Sequence, residues 1–354
     1  MRPPGDGVYT VSNAKDRKDQ LHTRMYKSTD DVERLWQDSL KSKLNPSFSG
    51  IGVLGICSDT GGGIQRGANW GPLFLREAML SQYEWNITDL GDILIVPQVL
   101  HDKYLNEKTI KQIRKSIYSD ENIELPVSPL SLTELSYQIF LNDYPEAKIF
   151  GIGGDHSVSY PLVKAWAETK NKSKKKIGLI HFDAHTDLMI ERLGIDLCFG
   201  SWVPPIIPLF DSPSDIFQIG IRSSGKDRNH WENNFGVHQL WANEIKQQGL
   251  ESTLNKFENY LKEKKFDEVY VSFDIDALDS EYAPATGTPE SGGMAPHEAK
   301  LFLDIIGQNT KVTGSDMMEI APFVQIFDEP HAQTITLKSA SYLTKVMTDM
   351  MEGK

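Results

Sequence analysis

Ile177-Gly178-Leu179-Ile180-His181-Phe182-Asp183-Ala184-His185-Thr186-Asp187 is an apolar run that passes into a row of metal-ligand side chains. The apolar part reads as a strand leaving the core. Asp183, His185 and Asp187 follow at alternate positions, and in extended chain residues two apart project to the same side. The strand therefore delivers two carboxylates and an imidazole into one small volume. Unpaired, those groups repel one another and are costly to desolvate; a bound cation removes both costs. His181, upstream of the non-ligating Phe182, is expected to point away from the neighbours of Asp183 and to be an ordinary structural histidine.

Two further segments have the same grammar. Ile149-Phe150-Gly151-Ile152 runs into Gly153-Gly154-Asp155-His156-Ser157, and Val269-Tyr270-Val271 runs into Ser272-Phe273-Asp274-Ile275-Asp276-Ala277-Leu278-Asp279. In an open parallel sheet the C-terminal ends of strands converge on one crevice, where ligands bind. His156, Asp183, His185, Asp187, Asp274 and Asp276 then make two imidazoles and four carboxylates, more than one small ion uses and suited to two ions with shared carboxylates. An oxygen-rich set without thiolate favours Mn²⁺ over Zn²⁺, with Ni²⁺, Co²⁺ or Fe²⁺ also compatible. Such a pair of ions makes hydroxide available near neutral pH, so the chemistry expected is metal-activated hydrolysis.

Outward from these motifs, strand-like runs recur near 51–57, 92–97, 147–152, 177–182, 216–221, 237–241, 268–274 and 312–319. Helix-length stretches separate most of them, including 131–144, 157–169, 251–264 and 296–307. The alternation predicts an α/β fold with a mainly parallel sheet of about eight strands flanked by helices on both faces. Residues 1–48 read as a charged N-terminal extension with an amphipathic helix near Asp30–Leu40, and residues 49–354 as one catalytic domain. The formal net charge of −12 argues against a nucleic-acid partner, which needs a basic face. No run of eighteen apolar residues and no secretory leader is seen, so no membrane partner is expected. Cys57 and Cys198 lack metal or redox spacing and fit a reducing, cytoplasmic setting as buried thiols. His22, His101, His230, His238, His297 and His331 have no ligand spacing and are expected mostly at the surface.

GGDHS, FDAHTD and SFDIDALD, in that order, resemble the arginase–agmatinase (ureohydrolase) family over roughly residues 50–345. Arg66-Gly67-Ala68-Asn69-Trp70-Gly71-Pro72, the run Ala283 to Glu290, and Met318-Glu319-Ile320-Ala321-Pro322 add to the likeness. The resemblance implies a three-layer arginase-like fold and hydrolysis of a small cationic guanidino substrate to urea and an amine with two Mn²⁺ ions. It implies a homo-oligomer, trimer or hexamer. It assigns one ion to His156, Asp183, Asp187 and Asp274, and the other to Asp183, His185, Asp274 and Asp276, with Asp183 and Asp274 bridging. It further implies that Glu319 orients the guanidinium through paired N–H bonds, that Thr286 touches a guanidino nitrogen, and that Asp187 passes a proton to the departing amine. Within the family, Gln218-Ile219-Gly220-Ile221-Arg222 and the run Ala283 to Glu290 look more like agmatinases and guanidino-acid hydrolases than arginases.

The specificity rim departs from the pattern. Leu188-Met189-Ile190 replaces the polar residues with which arginases hold an amino-acid end, and Phe199 stands where the family usually carries a proton-shuttling His. Arginase proper, a formiminoglutamase-like C–N hydrolase and a catalytically silent homologue are the alternative readings. A two-metal phosphoesterase is disfavoured, because no Arg or Lys clamp accompanies the motifs.

Overall fold

The computed structural model describes residues 1–7, 12–325 and 329–354. Eight strands follow in chain order: β1 (Ile51–Gly55), β2 (Thr88–Asp92), β3 (Lys148–Ile152), β4 (Ile177–Phe182), β5 (Ile216–Ile221), β6 (His238–Trp241), β7 (Glu268–Asp274) and β8 (Lys311–Met318). They form one sheet in the order β2-β1-β3-β8-β7-β4-β5-β6, parallel throughout. Strands β1, β4 and β7 are buried at every position, so their side chains are covered on both faces, as parallel sheets require.

Helix Pro129–Asp143 packs on Ser159–Lys172, while Leu250–Lys264, Pro296–Asn309, Ala332–Glu352 and Gly71–Gln82 pack one on the next. The central strand β8 is touched by Ser159–Lys172 from the first group and by Pro296–Asn309 and Ala332–Glu352 from the second, which makes the sheet the middle of three layers. Across β4 and β7, Phe182 and Phe273 stack with ring centroids 4.9 Å apart. Trp166 Nε1 donates to Thr313 Oγ1 at 3.0 Å, which satisfies the buried indole.

One strand differs from the sequence expectation. The apolar run 92–97 is not the strand; β2 is Thr88–Asp92, and Ile93 and Ile95 are buried just beyond it. Hydrophobicity marks burial rather than pairing, and here the paired segment is polar because its carboxylates have a buried partner. Arg76, on helix Gly71–Gln82, bonds Asp89 Oδ2 from Nε at 2.8 Å and reaches Asp92 Oδ1 from Nη1.

The N-terminal residues close the edge beside β2. Arg2 and Asp92 exchange backbone hydrogen bonds of 2.8 Å, and Asp92 Oδ2 accepts from the amides of Gly5 at 2.8 Å and Gly7 at 2.9 Å. The expected helix near Asp30–Leu40 is Val32–Lys43, and Ser12–Tyr26 forms another before it. Trp36 Nε1 donates to Asp89 O at 3.1 Å. A covered edge cannot template pairing with another chain. His22 is the exception among the histidines expected at the surface: it is buried, with Nε2 2.8 Å from Pro4 O. Among the described residues no helix is long and apolar enough to cross a membrane.

The strand order matters most at the centre. β3, β8, β7 and β4 are neighbours, and their C-terminal ends carry His156, Glu319, Asp274 and Asp183. Segments more than a hundred residues apart in sequence thus open into one crevice.

Candidate metal centre

The register of β4 and β7 places Phe182 opposite Phe273, so the next residues, Asp183 and Asp274, emerge side by side. After β3 the chain needs glycine: a Cβ at Gly154 would stand 1.5 Å from Ser58 O. That close passage leads into the short 3₁₀ turn His156–Val158, which turns the His156 ring inward. His156 Nδ1 lies 3.0 Å from Asp183 Oδ2, 3.2 Å from Asp187 Oδ2 and 3.1 Å from Asp274 Oδ2. His185 Nδ1 lies 3.3 Å from Asp183 Oδ1 and 3.1 Å from Asp276 Oδ2. Asp183 thus turns one oxygen toward each imidazole. Asp274 turns Oδ2 toward His156, while its Oδ1 accepts from the Asp276 amide at 2.8 Å. All six residues expected as ligands are brought together.

The donor atoms fit divalent cations. His156 Nδ1 is buried among three carboxylate oxygens and yet makes no well-directed hydrogen bond. A lone pair aimed at a space ringed by carboxylates is the arrangement a cation completes. The ionisation of the groups tells the same story. Burial, then Asp276 and Asp183, pushes the Asp274 carboxyl well above the ordinary range. Burial resists the charge of Asp183, but the adjoining imidazoles of His156, His181 and His185 outweigh it and hold that carboxyl well below the ordinary range. Burial also opposes charge on His156 and His185, and their carboxylate neighbours override it and raise both. A cluster that draws protons in to balance its charge is one in which metal and protons compete for the same lone pairs.

Asp187 and Glu319 are non-glycine residues in the left-handed region, at φ 50° and 62°. Such backbone costs about 1–3 kcal/mol and persists only where surrounding contacts hold it. Trp202 Nε1 donates to Asp187 Oδ2 at 2.7 Å, and the Glu319 amide donates to Gly154 O at 2.9 Å. Glu319 Oε1 accepts from the His156 amide at 2.9 Å, so one of its oxygens is already engaged. Its other oxygen stands near Gly287, where a Cβ would be 3.5 Å away. Burial, then Asp274 and Asp155, raises the Glu319 carboxyl well above its usual value. Thr286 is fully buried, and its Oγ1 has no hydrogen-bond partner.

Phe199 is not part of the cluster. It lines a groove of about 590 Å³ with Gly61, Gly62, Gly63, Arg66 and Arg192. Its amide donates to Gly61 O at 3.0 Å, and the Arg192 guanidinium lies 5.0 Å from its ring centroid.

His181 corrects the sequence reading. It does not point away: its Nε2 lies 2.9 Å from Asp183 Oδ2, and its ring falls in one buried group with His156, Asp183 and Asp187. The signal was present, since residues two apart on a strand share a side. The same alternation applies to Ser272, two before Asp274, whose Oγ lies 3.1 Å from His156 Nε2. Glu290, 3.7 Å from His185 Nε2, and Trp202 come from loops and had no periodic signal.

Comparison with known proteins follows the motifs. The sequence model of the Arginase family matches residues 49–347. An agmatinase of Chromobacterium violaceum is 29% identical over 312 residues, covering 86% of this chain and 84% of that protein. A mitochondrial guanidino acid hydrolase of Homo sapiens is 28% identical over 301 residues, covering 80% of this chain and 74% of that protein. The solved structure of proclavaminate amidino hydrolase from Streptomyces clavuligerus superposes with a TM-score of 0.67 at 24% identity, over 87% of this chain and 94% of that one.

Proposed function

The chain belongs to the arginase family, and from that premise we propose that it is a binuclear-metal hydrolase that cleaves a guanidino C–N bond to urea and an amine. The observation that carries the proposal is the sharing of Asp183 between two imidazole–carboxylate groups beside a buried Glu319. His156, Asp183, Asp187 and Asp274 would hold one cation and Asp183, His185, Asp274 and Asp276 the other. Two Mn²⁺ ions, which this donor set favours, supply Lewis-acid charge and an acidified water when bound.

The chain's own groups do the rest. Glu319 takes the guanidinium, and because the His156 amide anchors Oε1, the carboxylate plane is set before substrate arrives. Thr286 Oγ1, buried and unpartnered, is available to a guanidino nitrogen. Water oxygen adds to the guanidino carbon, and the bond from that carbon to the substituted nitrogen breaks. Asp187, steadied by the Trp202 indole, takes the proton that the attacking water oxygen gives up and delivers it to the departing amine. Phe199 gives the mouth an apolar wall without a proton carrier. That wall suits a guanidino compound lacking the α-amino-acid end of arginine.

Residues 49–354 form the catalytic domain in this reading, with residues 1–48 as an extension that closes the β2 edge. The reading includes a homo-oligomer, as the family resemblance implies, and a cytoplasmic setting, which two buried free cysteines suit. A phosphoesterase is disfavoured by Arg222, whose Nη2 is committed to the carbonyls of Asp276, Leu278 and Glu290.

The test is product release from the Mn²⁺-loaded protein across agmatine, guanidino acids, L-arginine and a formimino amino acid, beside Phe199→His. Urea from guanidino compounds, with weak turnover of L-arginine, is expected. Efficient arginine hydrolysis that the His variant leaves unchanged or lowers would remove the role given to Phe199. Metal binding with no turnover of any compound would favour the silent homologue.

A further inference from the structure

His181 sits within ligand distance of the cluster, and its protonated nitrogen can be read from a chain of buried side chains behind it. The Trp241 indole can only donate, and its Nε1 lies 2.9 Å from Gln239 Oε1. That orients the Gln239 amide, whose Nε2 donates to Gln218 Oε1 at 2.7 Å. At the other end the Thr186 carbonyl can only accept, and Gln218 Nε2 donates to it at 2.6 Å. Both ends therefore demand the same Gln218 orientation. Its Nε2 also lies 2.9 Å from His181 Nδ1, so Nδ1 accepts and the N–H of the ring is on Nε2. That N–H faces Asp183 Oδ2 at 2.9 Å.

We infer that His181 is a positioning residue rather than a metal ligand: the Trp241–Gln239–Gln218 chain presents its Nε2–H to Asp183 and aims the carboxylate that the two cations share. A nitrogen bearing a proton has no lone pair to give a cation. His156 is the contrast. Ser272 Oγ donates to Asp316 Oδ1 at 2.8 Å, so it accepts from His156 Nε2 at 3.1 Å, and the lone pair of His156 is left on Nδ1, facing the carboxylates. Two buried imidazoles whose centroids are 5.0 Å apart are thus sorted into ligand and orienter by what their outer nitrogens touch. Gln218, Gln239 and His181 are all buried, and water does not compete for this chain.

The inference rests on the proposed metal site, and the two fail differently. The experiment measures Mn²⁺ stoichiometry and dissociation constants by chelator competition on the full chain, with His181→Phe, His181→Gln and Gln218→Glu. His181→Phe keeps ring volume but has no donor and is expected to weaken Mn²⁺ binding about 10–100-fold, the scale of lost orienting partners. His181→Gln restores an N–H near the Nε2 position and should stay within about threefold of wild type. Gln218→Glu places an acceptor against Nδ1, and should weaken binding like His181→Phe although residue 181 is untouched. If wild-type protein binds no Mn²⁺, the metal-site reading falls. If wild type binds two ions and His181→Phe binds them equally tightly, only the role of His181 falls. Loss of one bound ion in His181→Gln as well would make His181 a direct ligand and overturn the inference. Should His181→Phe fail to fold, unchanged affinity in Gln218→Glu overturns it.

Discussion

Two groups of buried carboxylates lie in this sheet, and they are balanced in opposite ways. At the β2 edge, Asp89 and Asp92 close around Arg76, whose side chain is fully buried, and the amides of Gly5 and Gly7 take the remaining oxygen of Asp92. At the centre, Asp183, Asp187, Asp274, Asp276 and Glu319 are gathered with three inward-facing imidazoles and no Lys or Arg among their ion pairs in the described residues. The chain brings its own cation to the edge group, which is therefore architecture. The central group lacks one, so its charge is completed from outside, by protons or metal ions.

The strongest way to break this contrast is to remove a shared carboxylate. Asp183→Ala and Asp274→Ala are each expected to abolish turnover and to lose both ions, measured by metal analysis of the purified protein. Full metal content in either variant would show that the carboxylate is not shared. Metal-free Asp274→Ala should unfold no earlier than metal-free wild type, because burial and its carboxylate neighbours disfavour that charge. Metal-free Asp183→Ala should unfold earlier, because His156, His181 and His185 hold that carboxyl ionised. The edge group should behave the other way. Arg76→Met leaves two buried carboxylates without their counter-ion and is expected to cost about 3–5 kcal/mol in denaturant unfolding. Metal stoichiometry should stay that of wild type. A loss of metal with no loss of stability would invert the comparison.

Glu319→Gln tests a finer distinction inside the central group. The amide oxygen of Gln can still accept from the His156 amide, so the local backbone and both ions should remain. What is lost is the charge facing a guanidinium, expected to lower kcat/KM about 100-fold. Metal loss in this variant would make Glu319 part of the ion site, and unchanged kinetics would make it structural.

The two groups also differ in how visible they were in the sequence. The central cluster was legible because the apolar runs of β3, β4 and β7 each lead within a few residues into His or Asp. Most of those residues lie past the strand ends in loops and 3₁₀ turns; within a strand, the two-residue alternation is a local rule. His181 obeyed that rule and was nevertheless read as pointing elsewhere. Its Gln218 and Gln239 partners sit on β5 and β6 and appear only once the strand order is known. The β2 segment Thr88–Asp92 was missed for the complementary reason. A polar strand is tolerated where a distant arginine pairs it, and no window of local hydrophobicity reports that. Trp202 and Glu290 reach the site from irregular loops, whose course is set by packing rather than by period.

Asp59 lies between the two cases and yields the mildest test. Its Oδ2 accepts from the Gly67 amide, its Oδ1 has no hydrogen-bond partner, and Arg66 stands 3.9 Å away with its side chain 49% exposed. It has half a counter-ion. Burial, then the charge of Asp155, pushes its pKa up to about 7 from 3.8, against the pull of the Gly67 amide and Arg66. Between those two values the native state holds more protons than the unfolded chain, so stability falls as pH rises. The contribution is fully present below the unfolded pKa near 3.8 and is lost as pH climbs through about 7. Asp59→Asn removes that proton uptake. In metal-free protein, the difference in denaturant midpoint between variant and wild type should grow in the variant's favour from pH 4.5 to pH 8. Parallel profiles would mean that Arg66 already balances Asp59 as fully as Arg76 balances the edge group, and that the centre alone lacks a cation.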